Sequence, residues 1–167
     1  LVTLKRFETM LLAETELENF DYIFYVDADM LVVDCVDDYN FENYKFFGVQ
    51  HPGFINQLGT FEMDRNSTAS VDSSYDLTTY YQGCFWGGKS KDVLMLCKVL
   101  AQNVNEDLNN NIIAIWQDES HLNKYFINNK CDVYLFSSSY AYPEKWNLNM
   151  PKIIVHLDKS SHPSFVG

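Results

Sequence analysis

Apolar side chains recur at Leu4, Phe7, Met10, Leu11 and Leu17, close to the three-and-four spacing of a helix whose other face is acidic. An amphipathic helix is therefore predicted over residues 4 to 18. The next run, Tyr22-Ile-Phe-Tyr-Val26, is continuously apolar, rich in strand formers and ended by Asp27-Ala-Asp29, which predicts a buried strand of the parallel type. Helix followed by buried strand is an α/β pattern. Lys45 to Gln50 predicts another strand, closed by His51-Pro-Gly-Phe54, where proline and glycine impose a turn. Residues 55–79 then turn to Asn, Ser, Thr, Asp and Gly without periodicity. A connection that long inside one domain is commonly a lid or binding loop, so a mobile loop is expected there.

Tyr80 to Trp86 reads as strand again, with Gly87-Gly88 expected to break it. Ser90 is placed to cap a helix running to about Leu108, with Val93, Leu94, Leu96, Cys97, Leu100 and Val104 as its buried stripe. After the Asn109-Asn-Asn111 turn and a short apolar run from Ile112 to Trp116, Asp118 to Ile127 predicts a helix with acids in its first turn. Strands at Val133 to Phe136 and Ile153 to Leu157 complete the pattern. No repeat or linker interrupts it, so residues 1–167 read as a single α/β domain.

Composition narrows the function. Apolar residues make up 47 % of the 167, with 12 Phe, 11 Tyr and 3 Trp, which excludes a disordered chain. The formal charge of −11 opposes nucleic acid and anionic membranes as partners. An anionic small molecule stays compatible if a cation or a few bases reverse the sign locally. No apolar run approaches the length needed to span a bilayer, and no signal peptide opens the chain. Cys35, Cys84, Cys97 and Cys131 lie far apart without zinc spacing, and are expected to be reduced and buried. Asn66-Ser-Thr68 fits a glycosylation acceptor pattern but carries little weight without a secretion signal.

Four constellations bear chemistry. Asp27 and Asp29 sit at the carboxyl end of a strand, where α/β sheets bind ligands, and a carboxylate pair there suits a hard divalent cation; the same pair can simply cap a turn. Trp116-Gln-Asp-Glu-Ser-His121 offers a sugar-stacking ring, an acceptor for sugar hydroxyls and a carboxylate able to attack or stabilise an anomeric carbon; the alternative is a helix start with Trp116 as core. His51 ends a strand as a substrate contact or a turn residue. Lys159 can neutralise a leaving diphosphate and His156 can add a metal ligand, unless both belong to a solvated terminal segment.

Lys5-Arg-Phe-Glu8, Asp21-Tyr-Ile-Phe-Tyr-Val-Asp-Ala-Asp-Met30, His51-Pro-Gly-Phe54, Tyr80-Tyr-Gln-Gly-Cys-Phe-Trp-Gly-Gly88 and Trp116-Gln-Asp-Glu-Ser-His-Leu-Asn-Lys-Tyr125, in this order, resemble the family 6 glycosyltransferases, the retaining α-1,3 enzymes that include the ABO blood-group transferases. The resemblance covers nearly the whole chain. It implies a GT-A fold, a mixed and mostly parallel sheet flanked by helices, that moves galactose or N-acetylgalactosamine from a UDP-sugar to a β-galactoside. Position by position it implies that Glu119 is the catalytic carboxylate beneath the anomeric carbon. It makes Arg6, Asp27, Gln82, Cys84, Asp118 and Lys159 donor-binding residues, with Gln82 and Cys84 where the family sets donor choice. Asp29 and Asp27 become the metal site, for Mn²⁺ with Mg²⁺ as the alternative, and His51 and Trp116 become acceptor-side residues.

The family's strands for the uracil have no counterpart in the chain, so an N-terminally truncated catalytic domain, bacterial- or phage-like and cytoplasmic, is expected. An upstream anchor remains open. Two other functions stay open: an inactive glycan- or nucleotide-sugar-binding remnant, and a DxD phosphatase, which usually has Thr or Val two residues after the second Asp, where this chain has Leu31.

Overall fold

The computed structural model describes residues 3–36 and 42–161; the Leu1 and Gly167 ends of the chain lie outside the described residues. The amphipathic opening is helical but broken. A 3-10 turn at Thr3–Lys5 leads into α1 (Arg6–Leu11), and a second short helix, α2 (Glu14–Leu17), follows. Phe7 is fully buried whereas Leu12 points to solvent, so the inward stripe lapses where the helix does.

Among the described residues seven strands follow: β1 (Tyr22–Val26), β2 (Met30–Val32), β3 (Phe46–Gln50), β4 (Tyr81–Lys89), β5 (Val133–Phe136), β6 (Tyr142–Pro143) and β7 (Ile154–His156). They form a four-stranded sheet in the order β1-β4-β3-β5 and a small three-stranded one in the order β2-β7-β6. In the larger sheet β4 lies between β1 and β3 and runs against both, and β3 pairs parallel with β5. Three strands thus share a direction, but two of the three pairings are antiparallel. The sheet is mixed, and the expectation of a mostly parallel one fails at the level of pairing. Nor is β1 the buried parallel strand its composition predicts: it is an edge strand, antiparallel to β4, with Val26 exposed and Phe24 exposed although its ring stacks on those of Phe47 and Phe85.

Alternation along the strands sorts the core into two layers. Phe46 and Trp86 face α1, α3 (Ser90–Asn109) and α4 (Asp118–Asn128), whereas Phe47 and Phe85 pack on the other side with Phe136, Tyr140 and Ile154. The predicted stripe of α3 is buried throughout. Residues 55–79 contain no helix or strand, but Phe61 and Val71 form a third cluster with Tyr80 and Ile127.

Three local expectations need correction. Gly87-Gly88 does not end β4, which runs through to Lys89. A Cβ at Gly87 would stand 2.1 Å from the Ile23 carbonyl and one at Gly88 2.1 Å from that of Lys45, so both glycines serve the close approach of neighbouring strands. Ser90 is not a cap: it is the first residue of α3, and its hydroxyl donates to the Leu17 carbonyl at 2.6 Å, tying α2 to α3. The four cysteines are free, but Cys35 and Cys131 are exposed and only Cys84 and Cys97 are buried.

Candidate active site

The site forms where β1 ends, where β4 is irregular and where α4 begins. Opposite β3 the register of β4 jumps, with Gly48 facing Trp86 and Val49 facing Gln82. Residues 83–85 of β4 are therefore extra to that pairing, a wide bulge beside the site. Gly83 thus has both backbone groups available for side chains: its N–H donates to Glu119 Oε2 at 2.7 Å and its carbonyl accepts from Arg6 Nη1 at 2.6 Å. On the other edge the Cys84 carbonyl accepts from the Asp27 N–H at 2.9 Å, fixing the end of β1. Met30 N–H donates to the Asp27 carbonyl, so Asp27-Ala-Asp29-Met30 is a closed turn, and Leu157 N–H donates to the Asp29 carbonyl, fastening that turn beyond the end of β7.

Arg6, the first residue of α1, gathers the carboxylates. Its Nε lies 2.8 Å from Asp118 Oδ2, its Nη2 lies 3.6 Å from Asp27 Oδ1, and its guanidinium sits over the Tyr25 ring at 4.6 Å. The Tyr25 hydroxyl donates to Asp27 Oδ1 at 2.6 Å. Glu119 also accepts from the Tyr80 hydroxyl at 2.9 Å. Gln117, just before α4, has φ +52°, which turns the chain sharply between Trp116 and the two acids; the Thr3 hydroxyl donates to its side-chain carbonyl.

Most of the predicted residues meet. Arg6, Asp27, Gln82, Cys84, Trp116, Asp118 and Glu119 line one cleft of about 350 Å³, together with His156. A second cleft of about 610 Å³ shares Arg6 and Asp27 and adds Asp29 and Lys159. His51 lines neither. Its Nδ1 accepts the Gly53 N–H at 3.0 Å, which is the turn role, and its ring packs 5.8 Å from that of Tyr80, through which it adjoins Glu119. Sequence reasoning missed Tyr25, Tyr80 and Gly83. Only Gly83 left a signal, a glycine between two candidate residues where a Cβ would stand 3.3 Å from Glu119 Oε2.

The electrostatics divide the acids. Burial raises the pKa of Asp118 above the usual carboxylate range even with Arg6 beside it. It also raises Glu119, against the bonds from Gly83 and Tyr80 that favour its anion. Asp29 is 3 % exposed, and burial opposes its ionisation, but the Lys159 hydrogen bond at 2.9 Å and the charges of His156 and Lys159 outweigh that and hold its carboxyl low. His51 is pushed down to about 4, first by burial and then by His156, so it is neutral at pH 7. His156 Nε2 lies 3.2 Å from Asp29 Oδ2 and its Nδ1 lies 3.2 Å from Gln82 Nε2. A carboxylate can only accept, so the His156 Nε2–H donates to Asp29 Oδ2.

Among the described residues no three His, Cys, Asp or Glu side chains gather into a metal-ligating group. Two carboxylates on one turn, with His156 adjacent, do not cage an ion. They are the residues that could hold a small hard divalent cation, were the rest of its shell to come from a diphosphate and water.

A sequence model of glycosyltransferase family 6 matches residues 2–163. The chain belongs to glycosyltransferase family 6. It is 34 % identical over 159 residues to the O-antigen biosynthesis glycosyltransferase WbnI of Escherichia coli, spanning 94 % of this chain and 67 % of that protein. It is 37 % identical over 112 residues to the histo-blood group ABO system transferase 2 of Rattus norvegicus, covering 66 % of this chain and 33 % of the relative. To the globoside α-1,3-N-acetylgalactosaminyltransferase 1 of Gallus gallus it is 30 % identical over 135 residues, 77 % of this chain and 38 % of the relative. The chain thus spans between a third and two thirds of the relatives it matches. Membership of this family displaces the phosphatase reading. Among the described residues no helix is long and apolar enough to cross a membrane.

Proposed function

We propose that this family 6 chain carries the catalytic centre of a retaining, metal-dependent α-1,3-glycosyltransferase of GT-A type, moving galactose or N-acetylgalactosamine from a UDP-sugar to a β-galactoside. The observation that carries the reading is Glu119: a half-buried carboxylate in a cleft, held by the Gly83 N–H and the Tyr80 hydroxyl, with Arg6, Asp118 and the Asp27–Asp29 turn beside it.

Arg6 orients the donor side by fixing Asp118 and Asp27, and Asp118 accepts hydrogen bonds from the donor sugar's hydroxyls. The bond from the anomeric carbon to the diphosphate oxygen breaks with both electrons leaving on UDP, and Lys159 is the cation that meets the added charge. A divalent cation at Asp27 and Asp29, when bound, supplies further charge stabilisation to the diphosphate. Glu119 faces the positive charge growing on the sugar. It attacks to form a glycosyl-enzyme that the acceptor then displaces, or it stays a counter-charge while the acceptor enters on the leaving-group face. Both routes retain configuration. In both, the acceptor's 3-hydroxyl oxygen bonds the anomeric carbon, and its proton passes to the departing diphosphate oxygen. Trp116, half exposed at the cleft mouth, and His51 form the acceptor side.

The test is UDP release and product formation from UDP-galactose or UDP-N-acetylgalactosamine with Mn²⁺ and lactose. Glu119→Gln is expected to lower transfer by about 10³-fold or more while keeping UDP-sugar binding, and a chelator is expected to stop the reaction. Near-normal turnover in the variant removes Glu119 from the chemistry, and undiminished activity in chelator removes the metal. Lactose binding without any UDP release selects the glycan-binding remnant instead.

A further inference from the structure

We propose that Glu62 is a positioning residue for the acceptor side of the site. It lies in the polar 55–79 segment, which supplies none of the residues lining the two site clefts. Glu62 is 9 % exposed and forms no ion pair among the described residues. Its carboxylate instead accepts two backbone N–H groups: Oε1 takes that of Asp64 at 2.7 Å, and Oε2 takes that of Ile115 at 2.6 Å. A buried carboxylate without a cation is costly unless such bonds satisfy it, so the second bond firmly joins two stretches 53 residues apart in the chain.

What it holds is the non-helical approach to α4. Ile115 and Trp116 both line the cleft, and Gln117 at positive φ turns directly into Asp118 and Glu119. Around Ile115 the chain has few other ties: Gln117 N–H donates to the Ala114 carbonyl at 2.8 Å and Trp116 N–H to the Ser120 hydroxyl at 3.0 Å, both within the same stretch. From outside the stretch come the Thr3 hydroxyl, on the Gln117 side chain, and the Glu62 carboxylate, which among the described residues is what holds the backbone at Ile115. A separate anchor holds the 55–79 segment to α3, where Asp107 accepts from the Ser67 hydroxyl at 2.6 Å and the Thr68 N–H at 2.7 Å. Glu62 therefore sets the position of the Ile115–Trp116 wall against a fixed strap, and it acts through that wall without touching substrate.

The proposal rests on the reading of Trp116 as an acceptor-side residue, and the experiment separates the two. Glu62→Gln keeps size and one acceptor but turns an amide N–H toward one of the two N–H groups. The expected result is an acceptor KM raised roughly tenfold, the scale of one lost charge-assisted hydrogen bond, with UDP-sugar KM and acceptor-free UDP-sugar hydrolysis unchanged. Amide exchange at Ile115 is expected to accelerate while exchange within α3 stays as it was. An unchanged acceptor KM or unchanged Ile115 exchange in Glu62→Gln overturns the proposal. So does a parallel loss of donor and acceptor kinetics that follows Tm, since that is what general destabilisation produces. Trp116→Ala is the separate control: an acceptor KM that ignores it sinks the acceptor-side reading itself.

Discussion

Glu119 and Tyr80 show how single side chains tune one another in this cleft. Burial raises the Glu119 pKa, and the hydroxyl of Tyr80 is one of two donors that bring it partly back down. Tyr80→Phe removes a bond that favours the anion, so Glu119 must hold its proton to higher pH. Because the proposed chemistry uses the anion, the acid limb of the kcat profile is expected to shift upward in pH in that variant, with the alkaline limb in place. An acid limb that stays put would dissociate Glu119 ionisation from the rate. For stability the sign is opposite to that of an ordinary salt-bridged acid: a carboxyl with a raised folded-state pKa keeps a proton the unfolded chain has already lost. Its contribution falls as pH rises through that interval. Asp27 with Asp29, and Asp118 with Glu119, were legible as candidates because each pair is local in the chain. Tyr25 and Tyr80 were not, because nothing local distinguishes a tyrosine that meets a carboxylate from one that packs in a core.

At the level of elements, β4 organises the site. Its bulge over residues 83–85 releases Gly83 for Arg6 and Glu119, and it also keeps Tyr81 and Trp86 on one face although they stand an odd number of positions, five, apart. Beyond the bulge, Gly87 lets β1 close on β4. An alanine there meets the Ile23 carbonyl at 2.1 Å and the Phe24 Cα at 2.9 Å, both backbone atoms that no rotamer change can relieve. Gly87→Ala is expected to destabilise by about 3 kcal/mol or more, read as a drop in the urea or thermal midpoint. A wild-type midpoint would mean that β1 can shift outward at no cost. A Gly-Gly pair signals a break when read from local preference alone, and it becomes a strand only once two neighbouring strands are seen to crowd it.

For the whole molecule, the charge of −11 sets a field that the proposed UDP-sugar donor must cross, and Arg6 is held by acids while Lys159 is paired with Asp29. Long-range repulsion should therefore slow donor association. Raising ionic strength from about 10 to 150 mM shortens the screening length from about 30 to 8 Å, so the association rate measured by stopped flow is expected to rise with salt. A falling rate would show that the local cations govern the field the donor meets.

The pattern in the chain was enough for α3, α4, β3 and β5, because the two helices each bury one periodic stripe, the two strands are short apolar runs, and the boundaries of all four are set by neighbours in sequence. Motif order was enough for the family, because Asp27-Ala-Asp29 and Trp116-Gln-Asp-Glu119 are contiguous. Tertiary structure alone decided the antiparallel place of β4, the edge position of β1, the bulge that frees Gly83 and the bond from Glu62 to Ile115. Those depend on which distant backbone groups face each other. Pairing energies are earned between segments, and a one-dimensional pattern records only which residues want to be buried, not what they will be buried against.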